Sequence, residues 1–394
     1  MRSCSFPKGR RAILLTFLSM YALGYACDPI YTYFLPLYLN HRGIDAATIT
    51  ALMSIGPFAA LFGLPILGRE GDRARTKNSV LKFVIITSTL TMLLYKVSSR
   101  VYYVFLITAL FYFLKQPQHP LEDTIVLEYY EKRSNYGYIR LAGTAGYAIA
   151  SVFIGASADI KIDNIFVLFL LFGFLNFVVV CFAPPVAGHG RTGRRKLSLS
   201  MLGEYKELTL YIALGTVMQL PVGVYVSSFP IYYTTALGGT SGMLGWLLLV
   251  AACSEIPFLL FQGKILSKVG TKKLLLFAAA ASSIRWLLTY FVVDPYGQMA
   301  VQCLQGISFI IMHCAIVNYI NTNVSDEYKA SGQAMYALFT GNLARILGNV
   351  IGAVIIRAWS IRAAFLCFSI FTMSLIPVFA FMFHGKNHYT KSNA

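Results

Sequence analysis

Runs of mainly apolar residues recur along almost the whole chain, and short clusters of Gly, Pro, Asp, Lys and Arg separate them. A helix needs about 20 apolar residues to cross a bilayer. The pattern predicts six such spans in the first half, at about 13–39, 48–68, 80–97, 102–129, 136–158 and 165–182. Six more follow at about 211–237, 244–266, 274–293, 298–320, 331–356 and 364–383. Between the two sets lies Pro184–Ser200, the longest polar stretch, rich in Gly, Pro, Ser and positive charge. It reads as a linker. The expected organisation is a bundle over 1–184, a basic linker over 185–205 and a second bundle over 206–394.

Composition sharpens this. The chain is 57% hydrophobic and 12% charged, with mean hydropathy +0.63; a soluble chain carries about 25% charged residues. The fold class is all-α integral membrane. The net charge of +17 is unevenly placed: about 22 of the 33 Lys/Arg fall in alternate loops and the tails, about 6 in the other loops. That bias predicts a plasma (inner) membrane protein, multi-pass, with both termini cytosolic, and no nucleic-acid partner. Seven cysteines lie mostly inside apolar runs without metal-like spacing, so no metal or cofactor is expected. A cleavable leader is rejected because the first run continues to Leu39.

Polar residues inside apolar runs carry the chemistry, since intramembrane charge is costly and marks function by default. Asp28 lies mid-span with no cation near it in sequence, so burial should favour its neutral form. Lys115, His119 and Asp123 recur every four residues in span 4, beside Glu122. Pro117 and Pro120 should kink or unwind that helix. A polar turn at Glu131–Asn135 would bring Asp123 back to Arg140, the expected ion pair. Arg140, Thr144 and Tyr147 share one face of span 5, where Gly143 and Gly146 permit close approach. The second half adds Gln219, Glu255, Arg285 and His313, and a stripe of Asn342, Arg345 and Asn349 in span 11. Gly348 and Gly352 form a small-xxx-small packing motif. The halves echo each other: Leu35-Pro36-Leu37-Tyr38 answers Phe229-Pro230-Ile231-Tyr232, and Gly68–Lys77 answers Gly263–Lys273. Two parallel six-helix repeats are a transporter architecture, with the site near mid-membrane.

Here the sequence resembles the major facilitator superfamily. Gly68, Asp72, Arg73, Arg75 and Lys77 are similar to that family's loop signature between its second and third helices. The resemblance implies twelve transmembrane helices in two pseudo-symmetric six-helix bundles, and a conformational latch at Gly68, Asp72 and Arg73. PLEDT, YGYIRLAGTAGY, SEIPF, KVGTKKLLLF with SIRW, and GQAMYALFTG together resemble the phenylpropionate-permease branch. That branch is related more distantly to lactose permease and nucleoside:proton symporters. These relatives imply proton-coupled import. They imply solute binding by Asp123, Arg140, Thr144, Tyr147, Gln219, Glu255 and Arg285. Gln305 and Ser308 stand where lactose permease keeps its coupling His and Glu, so that machinery does not carry over. Arg345 stands where relatives of the branch usually have a small residue.

The expected function is therefore a secondary active transporter for a small organic solute, driven by the proton gradient and sufficient as a monomer. Asn342 and Arg345 join the binding set; Asp28, Glu122 and His313 are the proton candidates, Asp28 first. Three arginines facing the cavity would favour an anionic solute, and arginines each paired with a carboxylate a neutral sugar or nucleoside. A multidrug-type exporter and a non-transporting sensor on the same fold are the alternatives. The sequence contains no nucleotide loop or nucleophile–base pattern of an enzyme.

Overall fold

The computed structural model describes residues 9–130, 136–188 and 203–384, so the turn Glu131–Asn135, both tails and most of the basic linker lie outside the described residues. Among the described residues eleven helices are long and apolar enough to cross a membrane: Arg11–His41, Ala46–Arg73, Lys77–Lys96, Tyr136–Ile160, Asn164–Phe182, Lys206–Thr235, Ser241–Val269, Thr271–Phe291, Pro295–Asn323, Glu327–Ala358 and Ile361–Phe383. The twelfth crossing, span 4, is two helices, Val101–Lys115 and Gln118–Tyr129. It breaks at Gln116-Pro117, as the prolines predict, because proline removes a backbone donor and clashes with the preceding turn. Span 1 widens to a π-helical turn over Ile30–Phe34, directly after Pro29.

The repeat extends to details that residue patterns alone did not single out. Gly43 and Gly238 close spans 1 and 7 with positive φ (88° and 73°), a helix-ending conformation that favours glycine. Two residues later Asp45 and Thr240 cap spans 2 and 8 by accepting the amides of Thr48 and Met243. Burial pushes the Asp45 carboxyl up, but hydrogen bonds from Thr48 hold it below the usual carboxylate range. Asp45→Ala should cost about 1 kcal/mol of stability at neutral pH. The cap contribution is lost as pH falls through the lowered value, so variant and wild type should converge in acid, as unfolding curves at several pH values would show.

Packing divides the molecule unequally along its height. Toward the face opposite the chain ends, one hydrophobic core joins both halves, running from Ile30, Tyr38 and Ile49 to Tyr225, Phe229, Leu247 and Trp286. Toward the face carrying the chain ends there are two separate cores. One, around Phe17, Leu81 and Ile125, belongs to the first half; the other, around Leu214, Leu275 and Ile316, to the second. Contacts between halves follow suit. Gly155 and Gly245 let the backbones of spans 5 and 8 touch, and Asp159 Oδ2 accepts the Gly242 amide at 2.9 Å. The Thr50 and Ser228 hydroxyls bond between spans 2 and 7, and Arg357 reaches Thr48 at 3.5 Å. The halves are thus sealed at the far face and part toward the face of the chain ends.

Small residues set the helix spacing. A Cβ at Gly146 would strike the Ala22 backbone, and one at Gly143 the Tyr25 ring, so spans 5 and 1 are pressed together there. Gly348 and Gly352 similarly abut Leu220 and Val224, packing span 11 on span 7. Span 12 leaves Ile370, Phe371, Met373 and Phe381 exposed toward lipid, as expected of a nearly featureless apolar helix.

In the signature loop, the tie to span 4 runs through Lys77. Asp72 pairs with Lys77 at 3.3 Å, and Lys77, 2% exposed, also binds Glu128 at the end of span 4. Among the described residues Arg73 pairs with Glu70, three residues back, and its side chain is 71% exposed. Gly68 has open space beside it. Thr76, Lys77 and Asn78 hold the start of the linker through the Thr76–Ala187 bridge, the Lys77 amide to Val186 O at 2.9 Å, and Asn78 bonds to Pro184 and Val186. Lys272, at the equivalent place in the second half, pairs with Glu207 at 2.9 Å.

Candidate functional site

The cleft between the two lower cores is lined by polar residues from both halves. On the first side, span 5 presents Arg140, Thr144 and Tyr147. Arg140 lies over the Tyr25 ring, 4.4 Å from its centroid. His119 stacks on the same ring at 3.9 Å, so Tyr25 touches both groups. Tyr33 and Tyr147 both pack against the joint core, and the Tyr33 ring meets that of Tyr225 of the second half at 5.9 Å. This aromatic contact closes the top of the cleft.

The expected Asp123–Arg140 ion pair is absent. Asp123 Oδ1 instead accepts from Tyr21 at 2.5 Å and Tyr136 at 3.0 Å. Span 1, packed against both span 4 and span 5, supplies tyrosines that satisfy the carboxylate and occupy the guanidinium separately. This third helix lies outside the hairpin of spans 4 and 5, about a hundred residues away in the chain from Asp123.

Asp28 also differs from its expectation. It is not isolated: His119 Nε2 approaches Oδ2 at 2.9 Å and Lys115 Nζ approaches Oδ1 at 3.7 Å. Glu122, wholly buried, accepts from Gln118 at 2.8 Å and Asn176 at 3.4 Å, and meets His119 Nδ1 at 3.0 Å. Lys115, 1% exposed, donates to Gln118 at 2.6 Å. Gly24 makes room, since a Cβ there would sit 2.8 Å from Glu122 Oε1. The cations that answer Asp28 are about ninety residues away in the chain, beyond any local pattern.

On the second side Arg285, 3% exposed, donates to Gln302 at 2.9 and 2.5 Å and to Gln305 at 2.9 Å. Gln305 donates on to Glu255 at 3.0 Å. Trp286 and Tyr225 flank the guanidinium at 4.5 and 5.0 Å. Gln219, with Met218 and Ser308, lines the same corner as Arg285. Gln302, Tyr33 and Tyr225 were not singled out from the sequence; Gln302 could have been found by the same signal as Gln219, a polar side chain in an apolar run, whereas the many tyrosines of the chain do not stand out individually. His313 is bonded to Tyr336 at 2.9 Å within the second half.

Span 11 does not present its polar stripe as one face. Asn342 lies in a π-helical segment, Ala337–Leu343, which shifts the register. Asn349 is buried and accepts from Ser227 of span 7 at 3.1 Å. Arg345, half-buried, has no ion-pair partner among the described residues. No ion pair joins Arg140, Arg285 or Arg345 to a carboxylate among the described residues.

Comparison with known proteins decides the family. The MFS_1 like family matches residues 15–367. The chain belongs to this family. It is 26% identical over 367 residues to a maltose permease of Geobacillus stearothermophilus, covering 91% of each chain. A probable 3-phenylpropionic acid transporter of Escherichia coli K12 is 22% identical over 338 residues, covering 81% of this chain and 89% of that one. The crystal structure of the nucleoside transporter NupG superposes with TM-score 0.77 at 18% identity, covering 94% of this chain and 99% of that one. The protein is a multi-pass membrane transporter of the major facilitator type, and its relatives are transporters rather than enzymes.

Proposed function

We propose that this transporter carries a small organic solute – a sugar, a nucleoside or an aromatic acid – into the cell by proton-coupled alternating access. One observation carries the reading: the halves share one core at the far face and part into two toward the other, with Arg140, free of any carboxylate among the described residues, on the first half and the bonded Glu255–Gln305–Arg285 chain on the second. A solute bridging these half-sites would hold both halves at once, which is the contact that alternating access makes and breaks. The asymmetry of Lys and Arg between loops puts the chain ends in the cytosol of a plasma-membrane protein. On that orientation the cleft opens inward. The solute classes named for the similar proteins, maltose, 3-phenylpropionic acid and nucleosides, define the first panel. A drug exporter fits less well, because intramembrane arginines disfavour cationic cargo.

The test is thermal stabilisation of the purified protein by maltose, 3-phenylpropionate and uridine, followed by counterflow in proteoliposomes with whichever binds. Stabilisation and counterflow with one of them support the reading; binding of none, with intact folding, removes it for these classes. Within the same panel, Arg285→Lys should weaken binding by about tenfold. A lysine cannot reproduce the forked donation to Gln302 and Gln305, so Gln305 would no longer be held toward Glu255.

A further inference from the structure

His119 lies between two carboxylates and is bonded to both, through Nε2 to Asp28 at 2.9 Å and Nδ1 to Glu122 at 3.0 Å. A neutral imidazole has one N–H, so it satisfies one carboxylate and turns a lone pair toward the other. Both contacts are hydrogen bonds only when one further proton is present, on the ring or on a carboxylate. We infer that Asp28, His119 and Glu122 together bind the transported proton, with His119 as the group that shares it. This rests on the reading of the protein as a proton-coupled carrier, and it replaces Asp28 alone, Glu122 alone and His313 as the proton site.

Charge balance and access point the same way. Lys115 completes the cluster. With the extra proton, two carboxylates, one ammonium and one imidazolium sum to zero. Without it the buried cluster carries a net negative charge inside the membrane, a state that burial opposes. The proton leaves as a water-borne ion and the ring keeps its nitrogen lone pair, so no other reactant is needed. Exposure sets the route: Glu122 is 0% and Lys115 1% exposed, whereas Asp28 and His119 are 13% and 19%. Protons therefore exchange with the cleft at the Asp28–His119 edge.

The other groups facing the cluster are these. Gln118 and Asn176 donate to Glu122 from spans 4 and 6. Span 1 contributes Tyr31, whose ring carries Lys115 at 5.7 Å, and the buried Cys27. Asp123 is held by Tyr21 and Tyr136. Arg345 is the charge from the second half, acting with Asp28 on Tyr31 and Tyr112. Tyr25 is the link to solute: His119 stacks on its ring and Arg140 lies over the same ring. A solute that draws Arg140 off the ring changes the packing of His119, and the charge on His119 changes the hold on Arg140.

The decisive experiment is histidine-selective ¹⁵N NMR of the protein in nanodiscs, for wild type, His119→Gln, Asp28→Asn and Glu122→Gln. One of the six histidines, missing in His119→Gln, is expected to show both ring nitrogens protonated and then lose one proton on titration. Its midpoint should move by about one unit or more in either carboxylate variant. If His119→Gln does not fold, assignment falls to the signal that moves in both carboxylate variants. A His119 signal that stays one neutral tautomer from about pH 5 to pH 9, or is indifferent to both variants, overturns the inference. Pyranine-loaded proteoliposomes with maltose, 3-phenylpropionate or uridine supply the second readout. Protons moved per solute should fall at least tenfold in Asp28→Asn. Solute uptake by wild type without proton movement would sink the proton-coupled reading, while the NMR result still judges the proton site by itself.

Discussion

Replacing Arg140 by alanine is expected to abolish solute-induced stabilisation, weakening binding about thirtyfold, or about 2 kcal/mol. Arg140 rests on Tyr25 and has no carboxylate partner among the described residues. Its donors are therefore free to meet a solute oxygen, and a hydrogen bond to a charged donor is worth more than a neutral one. The same lack of direct carboxylate partners holds for Arg285 and Arg345, and it tilts the panel toward the anionic member, 3-phenylpropionate. Melting curves with each solute, wild type against variant, give the answer. A shift that survives in Arg140→Ala would make the arginine a packing group on Tyr25 and move attention to Glu255 and Gln305.

Gly348→Ala and Gly341→Ala, the same change within one span, are expected to have opposite signs. At Gly348 a Cβ would drive into the backbone of Leu220, so spans 7 and 11 must separate. Overpacking of this kind costs about 1–3 kcal/mol, and backbone cannot rotate aside as a side chain can. At Gly341 nothing lies within 4 Å of the added carbon. There alanine only reduces the freedom of the unfolded chain, a gain of up to about 1 kcal/mol. Unfolding both variants in one detergent would separate the cases. Equal losses would mean that the contact of spans 7 and 11 yields more readily than its geometry implies.

The membrane spans, their breaks and the two-fold repeat were legible in the chain because each rests on local chemistry. A run of about twenty apolar residues must be helical in lipid whatever surrounds it. Pro117 ends a helix without help from any neighbour. The packing role of Gly348 could be read from its spacing with Gly352, since small residues at helical period leave a groove on one face.

The candidate site was legible only as a set of residue types. Arg140, Glu255, Arg285 and Asp28 stand out because charge in an apolar run is expensive. What each one touches was not written locally. Asp28 has no cation near it in sequence, and it is met by Lys115 and His119 from span 4. Asp123 was expected to meet Arg140 and is held by Tyr21 and Tyr136. Span 11 was expected to present one polar face, and a π-helical segment divided it.

The sequence by itself determined that this chain lives in a bilayer, crosses it in two similar sets of helices, and commits costly charge to a few mid-membrane positions. Only the tertiary structure decided how those charges are paired, that His119 lies between two carboxylates, and that the halves are sealed at one face and open toward the other. The reason is range. Hydrophobic periodicity and helix breaking act over a turn or two of chain. A charge in a low-dielectric interior takes whichever partner the helix packing brings within about 4 Å, and here those partners come from spans distant in sequence.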